Sequence, residues 1–313
     1  MKVAVIGAGA IGGYFGARIA RGGHDVRLYA RGAHRDAIRS RGLEIGEAGG
    51  SWLCRLEATD DVAALGDPDL ALLAVKSYSL PGVLPVCRRL TERGATILPV
   101  LNGVDTLAVL VEGGVPAARV LQGLTAISVE KTGPGAVARW SDFWIVVVGE
   151  SDGRASERAV AADRLFREAG ADSRVSSDIE ADLWRKFLVL AALAAACGLA
   201  RAPVGAVLAA PLGPALVERA VGEIAAVARA RGVALAADEE KPVLARIRGL
   251  APALKPSFLV DLEHGGPTEL DVLSGAVSRY GAKLGIPTPI HDTVVAAVGA
   301  FLGPGATAAV APR

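Results

Sequence analysis

Of the residues in this chain that could move a proton, Lys186 has the most telling surroundings. It ends the stretch Asp182-Leu183-Trp184-Arg185-Lys186, which opens a very apolar helical segment. A lysine at the edge of such a helix loses hydration, which lowers its pKa toward the range useful for proton transfer, and a nearby carboxylate would hold it charged and aimed. The position also suits a lysine whose stem covers an apolar face while its ammonium stays in water. Carboxylates crowd the later stretch KPSFLVDLEHGGPTELD, residues 255–271. Glu269 follows its Gly-Gly-Pro-Thr turn at a predicted helix start, where the turn would fix its direction; a first-turn Glu favoured by the helix dipole is the plainer reading. Ser257, after Pro256, reads locally as an N-cap. Two more polar residues stand at predicted strand ends, Lys76 in LLAVKSY and Asn102 in LPVLNGV. Each also fits an ordinary strand-to-loop residue. Asn102 is the only asparagine in the chain, so any asparagine chemistry must use it.

The elements that must hold these side chains begin at the amino terminus. An apolar run at residues 3–6 ends in GAGAIG, residues 7–12, and a helix-favouring stretch with Arg18 and Arg21 follows. Strand, tight turn and helix in that order make a dinucleotide site. Gly7 permits the turn, Gly9 lets backbone approach a pyrophosphate, Gly12 lets helix and strand pack closely, and the helix N-terminus offers free N–H groups. A lone GxGxxG is a weak signal, but a second apolar strand at residues 26–29 completes the spacing of a βαβ unit. That strand ends in LYARGAHR, with no Asp or Glu to accept from a ribose 2′-hydroxyl. A 2′-phosphate wants a cation instead, so the expected cofactor is NADP, with Arg31 stacking on adenine or gripping the phosphate and Arg35 as a second charge. Both arginines also suit a solvated surface, Arg35 the more so.

At 313 residues the chain suits two domains. Short apolar runs alternating with amphipathic stretches, among them 70–75, 96–100 and 119–124, predict an α/β domain of Rossmann type over residues 1–178 with a largely parallel sheet. Runs at 126–131, 136–140 and 143–148 read as antiparallel strands appended to it. Over residues 179–313, alanine- and leucine-rich segments of helical spacing predict an all-helical domain for substrate binding and dimerisation. Ligands of open α/β sheets lie at the carboxyl ends of strands, so the substrate is expected between that sheet edge and the helices.

A formal net charge of +1, with no long run of Lys or Arg, gives no electrostatic case for nucleic acid or an anionic membrane. Three scattered cysteines, Cys54, Cys87 and Cys197, form neither a metal pattern nor a disulfide framework and suit a reducing cytoplasm. The four histidines lack metal-ligand spacing, no GxSxG elbow is present, and the immediate entry into a strand argues against a signal peptide. The uncharged run 187–200 is shorter than the about 20 residues of a membrane span. The run 293–312 is interrupted by Gly303-Pro304-Gly305, which leaves a short buried helix and a loose tail.

Together these segments resemble the ketopantoate reductase (2-dehydropantoate 2-reductase) family over nearly the whole chain. The matching pieces are GAGAIG, Arg31 after the second strand, AVKSY with Lys76, LNGVD with Asn102, LWRKF with Lys186, SFLVDLEHGGPTELDVLSGAV with Ser257 and Glu269, and GIPTP near the end. Each piece alone is modest; their order and spacing are specific. The resemblance implies NADPH as hydride donor and reduction of a 2-oxo acid to a 2-hydroxy acid, first of all 2-dehydropantoate to pantoate. It implies that Lys186 is the general acid and that Glu269 orients it and contacts substrate. Lys76 and Asn102 would line the nicotinamide side, and Ser257 and Asn102 would bind substrate. The implied partner is a small 2-oxo acid, with a second copy of the chain as a candidate. The chain departs from the family where asparagines are expected about one and two turns after the catalytic lysine and in the turn beyond, positions held here by Leu190, Ala194 and Val204. Leu190 and Ala194 should share the face of Lys186 and line the cleft. With no amide there to pair a substrate hydroxyl, the accepted oxo acid should be less polar. A nucleotide-binding regulator without turnover is the reading from another class; Lys186 and Glu269, which a pure sensor would not need, weigh against it.

Overall fold

A strand covered on both faces must be apolar along its length. Val3, Ala4, Val5 and Ile6 meet that condition, each no more than 2% exposed, and form most of β1 (Lys2–Ile6). The structure, a computed structural model, describes residues 1–303, and the chain divides into two units. Unit 1 comprises Met1–Leu101 and Thr106–Ile179; unit 2 comprises Asn102–Asp105 and the chain from Glu180 onward.

After β1 come α1 (Ala10–Arg21), β2 (Asp25–Tyr29), α2 (Gly32–Arg41), β3 (Leu43–Glu47), β4 (Gly50–Cys54), β5 (Glu57–Thr59), β6 (Leu70–Leu73), α3 (Leu84–Glu92), β7 (Thr96–Pro99), α4 (Thr106–Glu112), β8 (Gln122–Ala126), β9 (Val129–Gly133), β10 (Ala136–Arg139), β11 (Ile145–Gly149), α5 (Glu157–Glu168) and β12 (Asp172–Val175). Strands β5, β2, β1, β6 and β7 lie side by side in that order, every pair parallel. This is the Rossmann arrangement expected from the sequence, with its switch point between β1 and β6.

The strands expected at 126–148 do not form one antiparallel group. β9 and β10 make a hairpin, but β10 also pairs parallel with β3, giving a four-stranded sheet β4-β3-β10-β9. β11 instead pairs antiparallel with β8 and parallel with β12. Burial explains the division. Val146, Val147 and Val148 are all buried and need a covered sheet, which α5 supplies by packing on β11 and β12. The middle of β9 is exposed and suits an edge.

Two glycines fix how β1 meets α1. Gly7 has φ +94°, a region side chains rarely adopt, and a Cβ there would lie 2.6 Å from Val75. A Cβ on Gly12 would lie 2.0 Å from the carbonyl oxygen of Gly7.

Unit 2 is helical apart from Asn102–Asp105: α6 (Ile179–Ala200), α7 (Val204–Ala209), α8 (Gly213–Ala230), α9 (Glu240–Arg248), α10 (Ser257–Glu263), α11 (Ala276–Leu284) and α12 (Pro289–Leu302). A π-helical turn at Asp271–Gly275 leads into α11. The 22-residue α6 is long and apolar enough to cross a membrane by length and composition, yet it is the centre of this core. Trp184, Phe187, Leu188 and the stretch 191–197, small but for Leu193, share one buried cluster with residues of α8, α10, α11 and α12. The small residues let neighbours approach closely, as where Phe258 closes over Gly198. The interruption expected at Gly303 coincides with the end of α12; Pro304, Gly305 and the tail beyond lie outside the described residues.

Gly12→Ala is expected to destabilise the chain by about 1–3 kcal/mol, the usual range for overpacking. The measurement is thermal melting, and an unchanged melting temperature would show that α1 moves freely off the glycine turn.

Candidate active site

The first group of side chains belongs to unit 1. Gly9 is the N-cap of α1 and makes no side-chain cap, and a Cβ placed on it would meet nothing within 4 Å. The turn therefore presents uncapped helix N–H groups beside open space, which fits a pyrophosphate. Ala74, next to Gly7, continues from β6, and Lys76 follows two residues on as a partly buried residue at the same sheet edge. At the end of β2 the Arg31 guanidinium is exposed. It lies 5.5 Å from the Tyr29 ring and donates to the Tyr29 hydroxyl at 3.2 Å. Arg35 is engaged otherwise, by ion pairs with Asp36 at 2.7 Å and with Asp60. Of the two arginines, Arg31 is the one whose charge no carboxylate of the described residues takes up by an ion pair.

His34 escaped the sequence reading, which saw in the histidines only the lack of metal spacing. Its Nε2 donates to the Ala8 carbonyl at 2.7 Å, and its Nδ1 accepts the Gly135 N–H at 3.0 Å. A carbonyl only accepts and an amide N–H only donates, so the ring is neutral with its proton on Nε2. Burial lowers its pKa from the ordinary 6.5, in keeping with that form. His34 thus ties the glycine turn to the β9–β10 hairpin, a contact between distant segments that local sequence does not signal.

The second group lies in unit 2. Lys186 sits two turns into α6, and its Nζ donates to Asn102 Oδ1 at 3.1 Å. Asn102 Nδ2 in turn donates to Glu269 Oε2 at 2.9 Å. Glu269, only 3% exposed, precedes the π-helical turn, and its carbonyl accepts the Leu273 N–H at 3.1 Å. Lys186 is partly exposed along its length, but desolvation brings its pKa down from 10.5 to about 8 against the attraction of Glu269, which pulls it up. The structure thus brings together three residues separated by 84 and 167 positions of chain.

Other expected residues fall differently. Ser257 is not an N-cap: Pro256 holds that place, and Ser257 is the exposed first residue of α10 with no capping bond, because the preceding proline already sets the extended entry. Ala194 does not line a cleft. It and Val204 are each 1% exposed and belong to the core, since α6 is surrounded by helices at its middle. Leu190, one turn beyond Lys186, packs against that core but stays partly exposed.

A Rossmann-type unit with an open glycine turn, followed by a helical unit holding a desolvated lysine, is the layout of an oxidoreductase. Residues 3–153 match the family model described as ketopantoate reductase PanE/ApbA, and residues 178–301 match its C-terminal counterpart. The chain belongs to the ketopantoate reductase family. It is 30% identical over 296 residues to the uncharacterized oxidoreductase YkpB of Bacillus subtilis (strain 168), covering 95% of this chain and 97% of that protein. It is 30% identical over 320 residues to a 2-dehydropantoate 2-reductase of Mesorhizobium japonicum, covering 95% and 97% respectively. Among solved structures, D-mandelate dehydrogenase with NADH and anilino(oxo)acetate superposes with a TM-score of 0.86 at 25% identity, over 96% of this chain and 98% of that one.

Lys186 is expected to titrate near pH 8 rather than above 10, and Glu269→Gln to lower that midpoint further by removing the charge that favours the ammonium. NMR of isotope-labelled lysine side chains, with Lys186→Met to assign the resonance, reads both; a midpoint above 10 would show a fully hydrated ammonium.

Proposed function

We propose that this chain reduces a 2-oxo acid to the corresponding 2-hydroxy acid with NADPH, with 2-dehydropantoate as the leading substrate. The observation that carries this reading is the hydrogen-bonded series Lys186, Asn102, Glu269 in a setting that lowers the pKa of Lys186 to about 8. Such a lysine is charged at neutral pH yet gives up its proton readily, which suits protonation of a carbonyl oxygen as it gains charge. Asn102 holds the ammonium from one side through Oδ1, and its Nδ2 is held by Glu269, so the direction of the proton is set. Ser257 contributes its exposed hydroxyl to substrate binding from the first turn of α10.

When bound, NADPH supplies the hydride. The chain would hold its pyrophosphate at Gly7, Gly9 and Gly12, its 2′-phosphate at Arg31, and its nicotinamide end near Lys76 and Asn102. Arg31 is preferred to Arg35 because Asp36 and Asp60 already neutralise the latter. In this reading residues 1–178 carry the cofactor, and residues 179–313, joined by Asn102–Asp105, carry the substrate chemistry. A cytoplasmic place in pantothenate biosynthesis goes with it.

Leu190 favours a second reading, a 2-oxo acid with an apolar distal end. It stands one turn from Lys186 where the resemblance calls for an amide, and a substrate hydroxyl facing it would go unpaired at a cost of about 1–3 kcal/mol. The likeness to D-mandelate dehydrogenase, named for an aryl hydroxy acid, supports the same direction.

Oxidation of NADPH over a panel of 2-oxo acids tests the reaction and separates the substrates. Lys186→Ala is expected to fold normally and lose about 10²- to 10⁴-fold in kcat; undiminished turnover would make the lysine structural. In the wild type kcat/KM should fall as pH rises through about 8, because the charged lysine is the donor and is lost above its pKa in the free enzyme. A kcat/KM for 2-dehydropantoate about a hundredfold above that for a matched acid lacking the hydroxyl, roughly 2.7 kcal/mol, would overturn the apolar reading.

Arg31→Ala is expected to weaken NADPH binding while leaving NADH binding little changed, since only NADPH carries the extra phosphate. Equal affinities of the wild type for the two cofactors, by fluorescence titration, would remove Arg31 from this role.

A further inference from the structure

The series Lys186, Asn102, Glu269 depends on where Asn102 is held, and Asn102 lies on a four-residue segment whose chain neighbours on both sides belong to unit 1. Within unit 2 that segment is fixed at three points. Asn102 bonds Lys186 and Glu269 at one end. Gly103, at φ +97°, packs so closely on Val272 that a Cβ would lie 3.2 Å from the valine Cβ. At the other end Asp105 Oδ1 accepts the Tyr280 hydroxyl, and Asp105 Oδ2 lies 3.5 Å from Arg279 Nη2. Arg279 also pairs with Asp271 at the start of the π-helical turn.

Tyr280 is itself held by contacts that do not involve its hydroxyl. The Arg231 guanidinium sits 3.9 Å from its ring centroid, and the Trp184 ring, two residues before Lys186 on α6, lies 6.4 Å away. Burial and the Asp105 charge push the phenol well above its ordinary pKa, so the hydroxyl stays a donor to Asp105. Glu269, Val272, Arg279 and Tyr280 all belong to one stretch of chain. The segment bearing Asn102 is therefore pinned at both ends to the stretch that carries Glu269.

We infer that Asp105, held by Tyr280 and Arg279, is a positioning residue that keeps the Asn102 amide between Lys186 and Glu269; its bearing on turnover rests on the reading of Lys186 as the proton donor. Asp105 stands three positions after Asn102, with only Gly103 and Val104 between them, so release of Asp105 frees the amide to move by more than a hydrogen bond tolerates. The amide's two bonds have fixed senses, because an ammonium only donates and a carboxylate only accepts. A shift of the segment therefore breaks both together.

Asn102 is the only asparagine, so full-length protein grown with ¹⁵N-asparagine gives a single side-chain amide to observe by NMR. Tyr280→Phe removes one hydroxyl and keeps the ring, and Asp105→Asn keeps the shape and removes the charge. Each variant is expected to speed hydrogen exchange of the Asn102 amide by about tenfold, the loss of one hydrogen bond's worth of protection. Each is expected to lower kcat about ten- to a hundredfold. In an Asn102→Ala background Tyr280→Phe should cost nothing further, because its effect runs through that amide. An unchanged Asn102 amide in Tyr280→Phe, or the same loss of kcat in the Asn102→Ala background, would overturn the assignment. If the wild type turns over no 2-oxo acid, the proposed reaction fails while the amide signal still decides the clamp. Should Asp105→Asn fail to fold, the milder Tyr280→Phe decides alone.

Discussion

A desolvated ammonium is the constraint around which unit 2 is organised. Lys186 stands where α6 enters an apolar core, and removing water from its charge must be offset by groups that accept its protons. Asn102 accepts one of them and the Glu269 charge attracts the ammonium, without cancelling the effect of burial, since the pKa still lies near 8. A direct, fully solvated ion pair would leave the lysine charged at every physiological pH and a poor proton donor. An uncompensated lysine in the same place would be neutral and no donor at all. The amide between the two charges lets Glu269 act on the ammonium while leaving it able to release its proton.

Unit 1 answers a different problem, closing a strand and a helix around a tight turn. Gly7 and Gly12 remove two side chains so that strand and helix can close up, while open space lies over Gly9. His34 adds a fixed neutral bond from the turn to the β9–β10 hairpin, so the shape of the turn does not rest on glycine alone.

Much of this was legible in the sequence, and the reason is locality. GAGAIG, the apolar run of β1 and the arginine after β2 are signals within single elements, and each lies in the element expected. Lys186 and Glu269 stood out because a charge beside an apolar helix, and a carboxylate after a rigid turn, are local anomalies. What could not be read is what depends on tertiary contact. No local pattern assigns β10 to β3 or β11 to β8, since both pairings join strands distant in sequence. Nothing near Asn102 says that its amide spans Lys186 and Glu269. The burial of Ala194 and Val204 follows from the helices packed around α6, and alanine spacing alone does not distinguish a core face from a cleft. Ser257 was misread because a serine after proline resembles a cap, although the proline itself occupied that position.

Asn102 is followed by Gly103, the neighbour that least hinders an asparagine side chain from cyclising onto the next backbone nitrogen and hydrolysing to aspartate. At this position such ageing would do more than alter one surface amide. It would replace the donor facing Glu269 with a second negative charge, and two carboxylates would then compete for the same lysine. The hydrogen bonds that hold the amide at both ends would have to break for the side chain to turn onto that route. The close packing of Gly103 on Val272 further limits the backbone motion that cyclisation requires. In a chain with only one asparagine, the working lifetime of the protein is thereby tied to how firmly a single side chain is held.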